Sequence, residues 1–126
     1  MNRSRTVSIT VEKKTGDAFD AILRLPPKMM PDAKITTDGW WSFTGPHGKS
    51  KLKFHENKSL GILDHQYVDE VSSWTVPMRV ISSGDFSEVI ITLNKPEELT
   101  DVQFDQRMAE ISDMVTLMKN IIESES

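Results

Sequence analysis

Residues 100–124, TDVQFDQRMAEISDMVTLMKNIIES, decide how the rest of the chain is read. Phe104, Met108, Ile111, Val115, Met118 and Ile122 recur at alternating spacings of four and three, which draws one apolar stripe along a helix. Thr100 or Asp101 stands where an N-cap is needed. Met114, Leu117 and Ile121 widen the stripe beyond what a helix lying on a wet surface needs. A helix of this length must be gripped by something broad, and the preceding sequence supplies strands.

Working back from the helix, SGDF at 83–86 turns one alternating run, WTVPMRVI (74–81), into another, SEVIITLN (87–94). Setting Ser82 opposite Ser87 gathers Val76, Met78, Val80, Val89, Ile91 and Leu93 on one face. Arg79, Ile81, Glu88, Ile90 and Thr92 fall on the other. Pro77 donates no backbone hydrogen bond and predicts an edge or a local irregularity.

Further back, GPHG (45–48) joins two alternating runs in 39–57, GWWSFTGPHGKSKLKFHEN. With Thr44 opposite Lys49, Trp41, Phe43, Leu52 and Phe54 share an apolar face. Trp40, Ser42, Lys51, Lys53 and His55 share the wet one. LGILDHQYV (60–68) is a further strand. At the start, RTVSITVEK (5–13) alternates as a strand with one buried face. TGDAFDAILRL (15–25) then changes to helical period, with Thr15 as N-cap and Pro26 and Pro27 as its stop. KMMPDA (28–33) allows one more short helical turn.

The order is therefore one strand, one or two short helices, about six strands in antiparallel succession and a long helix. This is an α+β arrangement, a curved antiparallel sheet of six to seven strands wrapped on the C-terminal helix in a helix grip. No composition shift, repeat or linker divides residues 1–126, so one domain is expected.

The bulk properties exclude several functions. Fifteen basic against nineteen acidic residues give a net charge of −4, a poor basis for nucleic-acid binding. Lys49, Lys51, Lys53 and His55 form only a solvated basic strand face. From Glu97 onward there are eight acidic and two basic residues, so the last helix carries the acidic surplus. Cysteine is absent, which removes disulfides, thiolate nucleophiles and thiolate-ligated zinc. His47, His55 and His65 show no metal-ligand spacing, and no glycine-rich phosphate loop or serine nucleophile motif is present. No metal or cofactor is expected. No stretch has the length of a membrane span or the form of a signal peptide, so the chain is read as cytoplasmic, without membrane insertion.

LGILDHQYV, VPMRVISSGDFSEVIITLN and the helix from Thr100 onward resemble, in order, members of the START/Bet v 1-like superfamily, also labelled SRPBCC or polyketide cyclase-like. The likeness runs over residues 39–123, and the first strand and helix fit in pattern only. It implies an elongated apolar cavity between sheet and long helix. It does not imply one function, because the superfamily includes lipid carriers, hormone receptors, cyclases, oxygenase domains and chaperone activators.

The residues themselves point the same way. Met29, Met30, Met78, Met108, Met114 and Met118 fall on surfaces expected to face inward, where thioethers suit guests of varied shape or fill irregular gaps in a core. Within Leu63, His65 and Tyr67, the more apolar half of its strand, an imidazole and a phenol would enter the cavity. Asp64 and His65 are neighbours on a strand and point oppositely, so they form no catalytic dyad; Asp64 is placed to meet Arg79, with Glu88 diagonal to it. A one-residue slip in register would instead turn Arg79 inward as an anchor for an anionic ligand.

The expected ligand-contacting set is Trp41, Phe43, Leu52, Phe54, Leu63, His65, Tyr67, Met78, Arg79, Val89, Ile91, Met108, Ile111 and Val115. Three functions fit: binding of a small apolar or amphipathic molecule, a cyclase or dehydratase with His65 as acid or base, or a protein-interaction module, such as a homodimer or chaperone partner, using Trp40 or Trp74.

Overall fold

The computed structural model describes residues 3–125. Strand β1 (Ser4–Val11) is followed by helices α1 (Thr15–Leu23) and α2 (Leu25–Met29), and then by strands β2 (Lys34–Ile35), β3 (Trp41–Gly45) and β4 (Gly48–Asn57). A single 3-10 turn, Lys58–Leu60, leads to β5 (Ile62–Val68), β6 (Ser73–Val76), β7 (Met78–Ser83) and β8 (Phe86–Asn94), and helix α3 (Asp101–Ser124) closes the chain. All eight strands belong to one antiparallel sheet in the order β1-β8-β7-β5-β4-β3-β2, with β6 alongside β5. This is the helix-grip α+β architecture expected from the sequence.

Two-residue turns and strict alternation set the register. Thr44 faces Lys49 and Ser82 faces Ser87, as the turn sequences dictate. Val76, Met78, Val80, Val89, Ile91 and Leu93 are consequently all buried on the concave face. At the start of β5, Gly61 has φ +66°, and a Cβ there would sit 2.3 Å from the Val80 carbonyl oxygen. Only glycine allows β5 to meet β7 so closely, with Val80 N–H donating to Gly61 O at 2.9 Å.

Helix α3 begins in a complete capping box, in which Thr100 Oγ1 accepts from Gln103 N–H and the Gln103 side chain accepts from Thr100 N–H. It buries Phe104, Met108, Val115, Met118 and Ile122, as the stripe predicts. The stripe is narrower than expected at Leu117, which is exposed, and its polar intruder is Arg107, which is buried. Polar contacts from β1 hold the helix lengthwise: Arg5 pairs with Asp105, Lys119 Nζ donates to Thr10 O, and Glu12 N–H donates to Glu123.

Two local expectations are corrected. Thr15 does not cap α1; it is the first helical residue and Lys14 precedes it without a side-chain cap. Pro26 and Pro27 do not simply end the first helix. Arg24 ends it, and the prolines enter the first turn of α2, where a missing N–H loses no helical hydrogen bond.

Pro77 interrupts the path from β6 to β7 in the interior of the sheet rather than at an edge. Asp64 accommodates the break by accepting Met78 N–H at 2.9 Å, and it also pairs with the Arg79 guanidinium. Glu88 takes no part in that cluster, because it accepts from Thr10 across the β1–β8 pair. Asp64 is therefore a backbone splint on the convex face. Asp64→Ala should lower stability by about 1 kcal/mol through the stranded Met78 N–H. Arg79→Ala removes a half-exposed pair and a bond to the Met78 carbonyl, strands no buried backbone N–H, and should change it by about 0 to 1 kcal/mol. Urea unfolding of the two variants checks the order, and a larger loss for Arg79→Ala would contradict it.

Candidate functional site

Helix α1 covers part of the concavity, packing Ala18, Phe19 and Ile22 toward β7, β8 and α3. Beyond it the sheet and α3 diverge, and a predominantly apolar cavity of about 530 Å³ remains. The β3–β4 strands contribute Phe43, Leu52 and Phe54, and β5 contributes His65 and Tyr67. Met78 and Ile91 form its floor, and Ile111 lines it from α3. These eight residues of the expected set are thus brought to one space.

The other six are not. Leu63, Val89, Met108 and Val115 lie in the solid core. Trp41 is half-buried opposite Leu52 and does not border the space. Arg79 is on the convex face with Asp64, because the register is unshifted.

Several lining residues stand outside the expected ligand-contacting set. Ile22, Leu25 and Pro26 reach the cavity from α1 and α2. Met29, Met30, Met114 and Met118, expected inward on their surfaces, also border it. Trp74, a candidate partner-surface residue in the sequence, is instead buried; it stacks on Phe104 with centroids 6.0 Å apart and lines the cavity.

The largest omission is a buried polar network behind Tyr67. Asp69, in the turn after β5, accepts Arg107 Nη1–H at 2.8 Å, Tyr67 O–H at 3.0 Å, and the N–H groups of Val71 and Ser72 at 2.9 and 2.8 Å. Ser72 Oγ donates to the same carboxylate and accepts Trp74 Nε1–H at 2.8 Å. Ser50 Oγ lies 3.3 Å from Tyr67 Oη. The Asp69 side chain is wholly buried and that of Arg107 is 9% exposed. The sequence held one signal for this: Arg107 follows Phe104 by three residues and precedes Ile111 by four, which puts a charge inside the apolar stripe.

The titratable groups have defined states. Burial pushes the Asp69 carboxyl up, but hydrogen bonds from Arg107, the Val71 and Ser72 backbone and Tyr67 outweigh it and hold the pKa at about 2. Burial pushes the His65 imidazole down, only partly offset by its bond to the Leu63 carbonyl. Nδ1–H donates to that carbonyl at 3.0 Å, so neutral His65 keeps its Nε2 lone pair as an acceptor. Burial raises the Tyr67 phenol, which stays protonated. Where the lining reaches solvent, His47 Nε2 of the β3–β4 turn meets Glu110 of α3 at 2.7 Å.

Among the described residues no group of three or more His, Asp or Glu side chains is placed to hold a metal ion, and no helix is long and apolar enough to cross a membrane.

No family model matches the sequence, and no curated protein matches it. Solved structures do match in shape. An uncharacterized protein from Bacillus thuringiensis superposes with a TM-score of 0.74 at 15% identity, over 94% of this chain and 98% of its own. A START superfamily protein from Mycobacterium smegmatis gives 0.66 at 8% identity, over 97% and 95%. Truncated norcoclaurine synthase from Thalictrum flavum gives 0.69 at 13% identity, over 98% and 94%. The chain has the START/Bet v 1-like, SRPBCC fold.

The Asp69 state predicts a pH dependence. Its folded pKa is depressed, so its contribution to stability is complete above the unfolded value of 3.8 and is lost as pH falls toward about 2. Between about pH 5 and 2 the protein should lose on the order of 2 kcal/mol through this group. Asp69→Asn should be less stable at neutral pH, because it strands Arg107, and should lack that component of the acid slope. Denaturant titrations at a series of pH values check this; parallel slopes for the two proteins would contradict it.

Proposed function

We propose that the protein encloses a small apolar or amphipathic molecule between the sheet and α3. The observation that carries this reading is a predominantly apolar cavity of about 530 Å³ whose few polar lining groups include His65, Tyr67 and Arg107. Its size lies in the range of small-molecule sites, and few convergent polar groups on a greasy lining are their usual make-up. Covering about 300 Å² of apolar ligand surface is worth on the order of 7 kcal/mol before the entropic cost of association. Flexible Met29, Met30, Met78, Met114 and Met118 make the wall adaptable. The open space also weighs against a module whose interior is filled by its own side chains.

His65 supports a second reading. A neutral imidazole held by Leu63 O, with Nε2 available, suits proton abstraction from an enclosed substrate, as a cyclase or dehydratase would need. The fold neighbour called norcoclaurine synthase is an enzyme by its name, at 13% identity. His65→Ala separates the readings: retained binding with lost turnover of a bound substrate favours the enzyme.

The main reading is tested by filling the cavity. Ile111→Trp should weaken binding of an uncharged solvatochromic dye, such as Nile red, by about tenfold or more, which corresponds to about 1.4 kcal/mol. Thermal unfolding should be little changed, because the new ring enters existing space. Unchanged dye affinity in a folded Ile111→Trp protein would count against the cavity as the binding site.

A further inference from the structure

The polar side of the cavity narrows the chemistry of its guest. Arg107 is 7% exposed and uses one Nη1–H on Asp69; among the described residues no other side chain accepts from its guanidinium. Its remaining donors are on a residue that lines the cavity. His65 offers the opposite function, an acceptor at Nε2. Tyr67 connects the two, standing two residues from His65 on β5 and sharing Asp69 with Arg107. His65 and Tyr67, alternate residues on one strand face, are about 7 Å apart, and Arg107 lies beyond Tyr67 across the shared Asp69 carboxylate.

Charge decides what the donor station can take. Asp69 is ionised and already receives five hydrogen bonds, so the Asp69–Arg107 pair is neutral as a unit. Glu110 at the rim is already engaged with His47, and burial keeps Tyr67 and His65 uncharged. A carboxylate guest would bring a negative charge that no free cation of the lining balances, in an apolar enclosure where such a charge is poorly solvated. A carbonyl oxygen accepts from the same guanidinium and adds no charge.

We propose that the cavity selects an uncharged amphipathic molecule with a carbonyl-type acceptor at Arg107 and a hydroxyl donor at His65 Nε2, and rejects the carboxylate of the same shape. This rests on the ligand-binding reading above. Matched naphthalenes bearing groups at opposite ends test it by titration calorimetry on the full chain at neutral pH: a hydroxynaphthyl methyl ketone, the corresponding hydroxynaphthoate, acetylnaphthalene without the hydroxyl, and ethylnaphthalene with no polar group.

The ketone should bind about tenfold or more tighter than the carboxylate. His65→Phe should abolish the advantage of the hydroxyl ketone over acetylnaphthalene. Arg107→Met combined with Asp69→Asn, which leaves no stranded charge, should abolish the advantage of acetylnaphthalene over ethylnaphthalene. A carboxylate that binds the wild type as tightly as the ketone overturns the proposal while leaving the ligand-binding reading intact. If no member binds, ethylnaphthalene included, the ligand-binding reading itself fails. Should the double variant not fold, the wild-type series and His65→Phe still decide.

Discussion

The buried pair between Arg107 and Asp69 constrains the rest of the molecule. A guanidinium cannot discharge itself by losing a proton, so a helix that carries one in its apolar stripe must meet a carboxylate where the stripe lands. That requirement fixes α3 in rotation and in height against the turn after β5. The turn is specified in turn by Asp69 itself, whose carboxylate ties down Val71 and Ser72 N–H. One pair thereby sets the distance between the long helix and the middle of the sheet. The same pair places a polar wall where an all-apolar stripe would have let side chains close the gap.

Much of this architecture was legible in the sequence because short turns and strand alternation are local rules. GPHG and SGDF, with their flanking alternation, gave the pairings Thr44 with Lys49 and Ser82 with Ser87, and with them the faces of four strands. The helix stripe announced which side of α3 is buried. What stayed hidden depends on elements distant in sequence. Asp69 lies 38 residues from Arg107, and nothing in VDEVSS separates a buried carboxylate from an exposed turn acid. The share of the lining contributed by Ile22, Leu25 and Pro26 depends on how far α1 and α2 fold over the sheet. Leu63, Val89 and Val115 are inward as expected, yet lie in core rather than cavity wall, because alternation gives the face and not the position along it.

Asp64 and His65 show how one strand serves both faces. On the convex side Asp64 receives the Met78 N–H where Pro77 breaks the regular ladder, and on the concave side His65 presents its ring to the cavity beside Phe54, 5.4 Å between centroids. The two side chains are chemically unrelated despite being adjacent. Proline is tolerated in an interior position of the sheet because a carboxylate on the neighbouring strand replaces part of the missing regularity.

The contact between His47 and Glu110 bears on how a guest would reach the enclosed space. It joins the GPHG turn to α3 where the lining becomes solvent-exposed, with Glu110 about half exposed. A pair so placed contributes about 0 to 1 kcal/mol, whereas removing one partner of the buried Arg107–Asp69 pair would strand a charge at a cost of about 3 to 5 kcal/mol. Separation of β3–β4 from α3 is therefore resisted only weakly at the rim, while Arg107 and Asp69 tie α3 to the turn after β5. Opening confined to the rim beside His47 and Pro46 would leave Arg107, Tyr67 and His65 in position, so the groups proposed to meet a guest would not have to move to admit one.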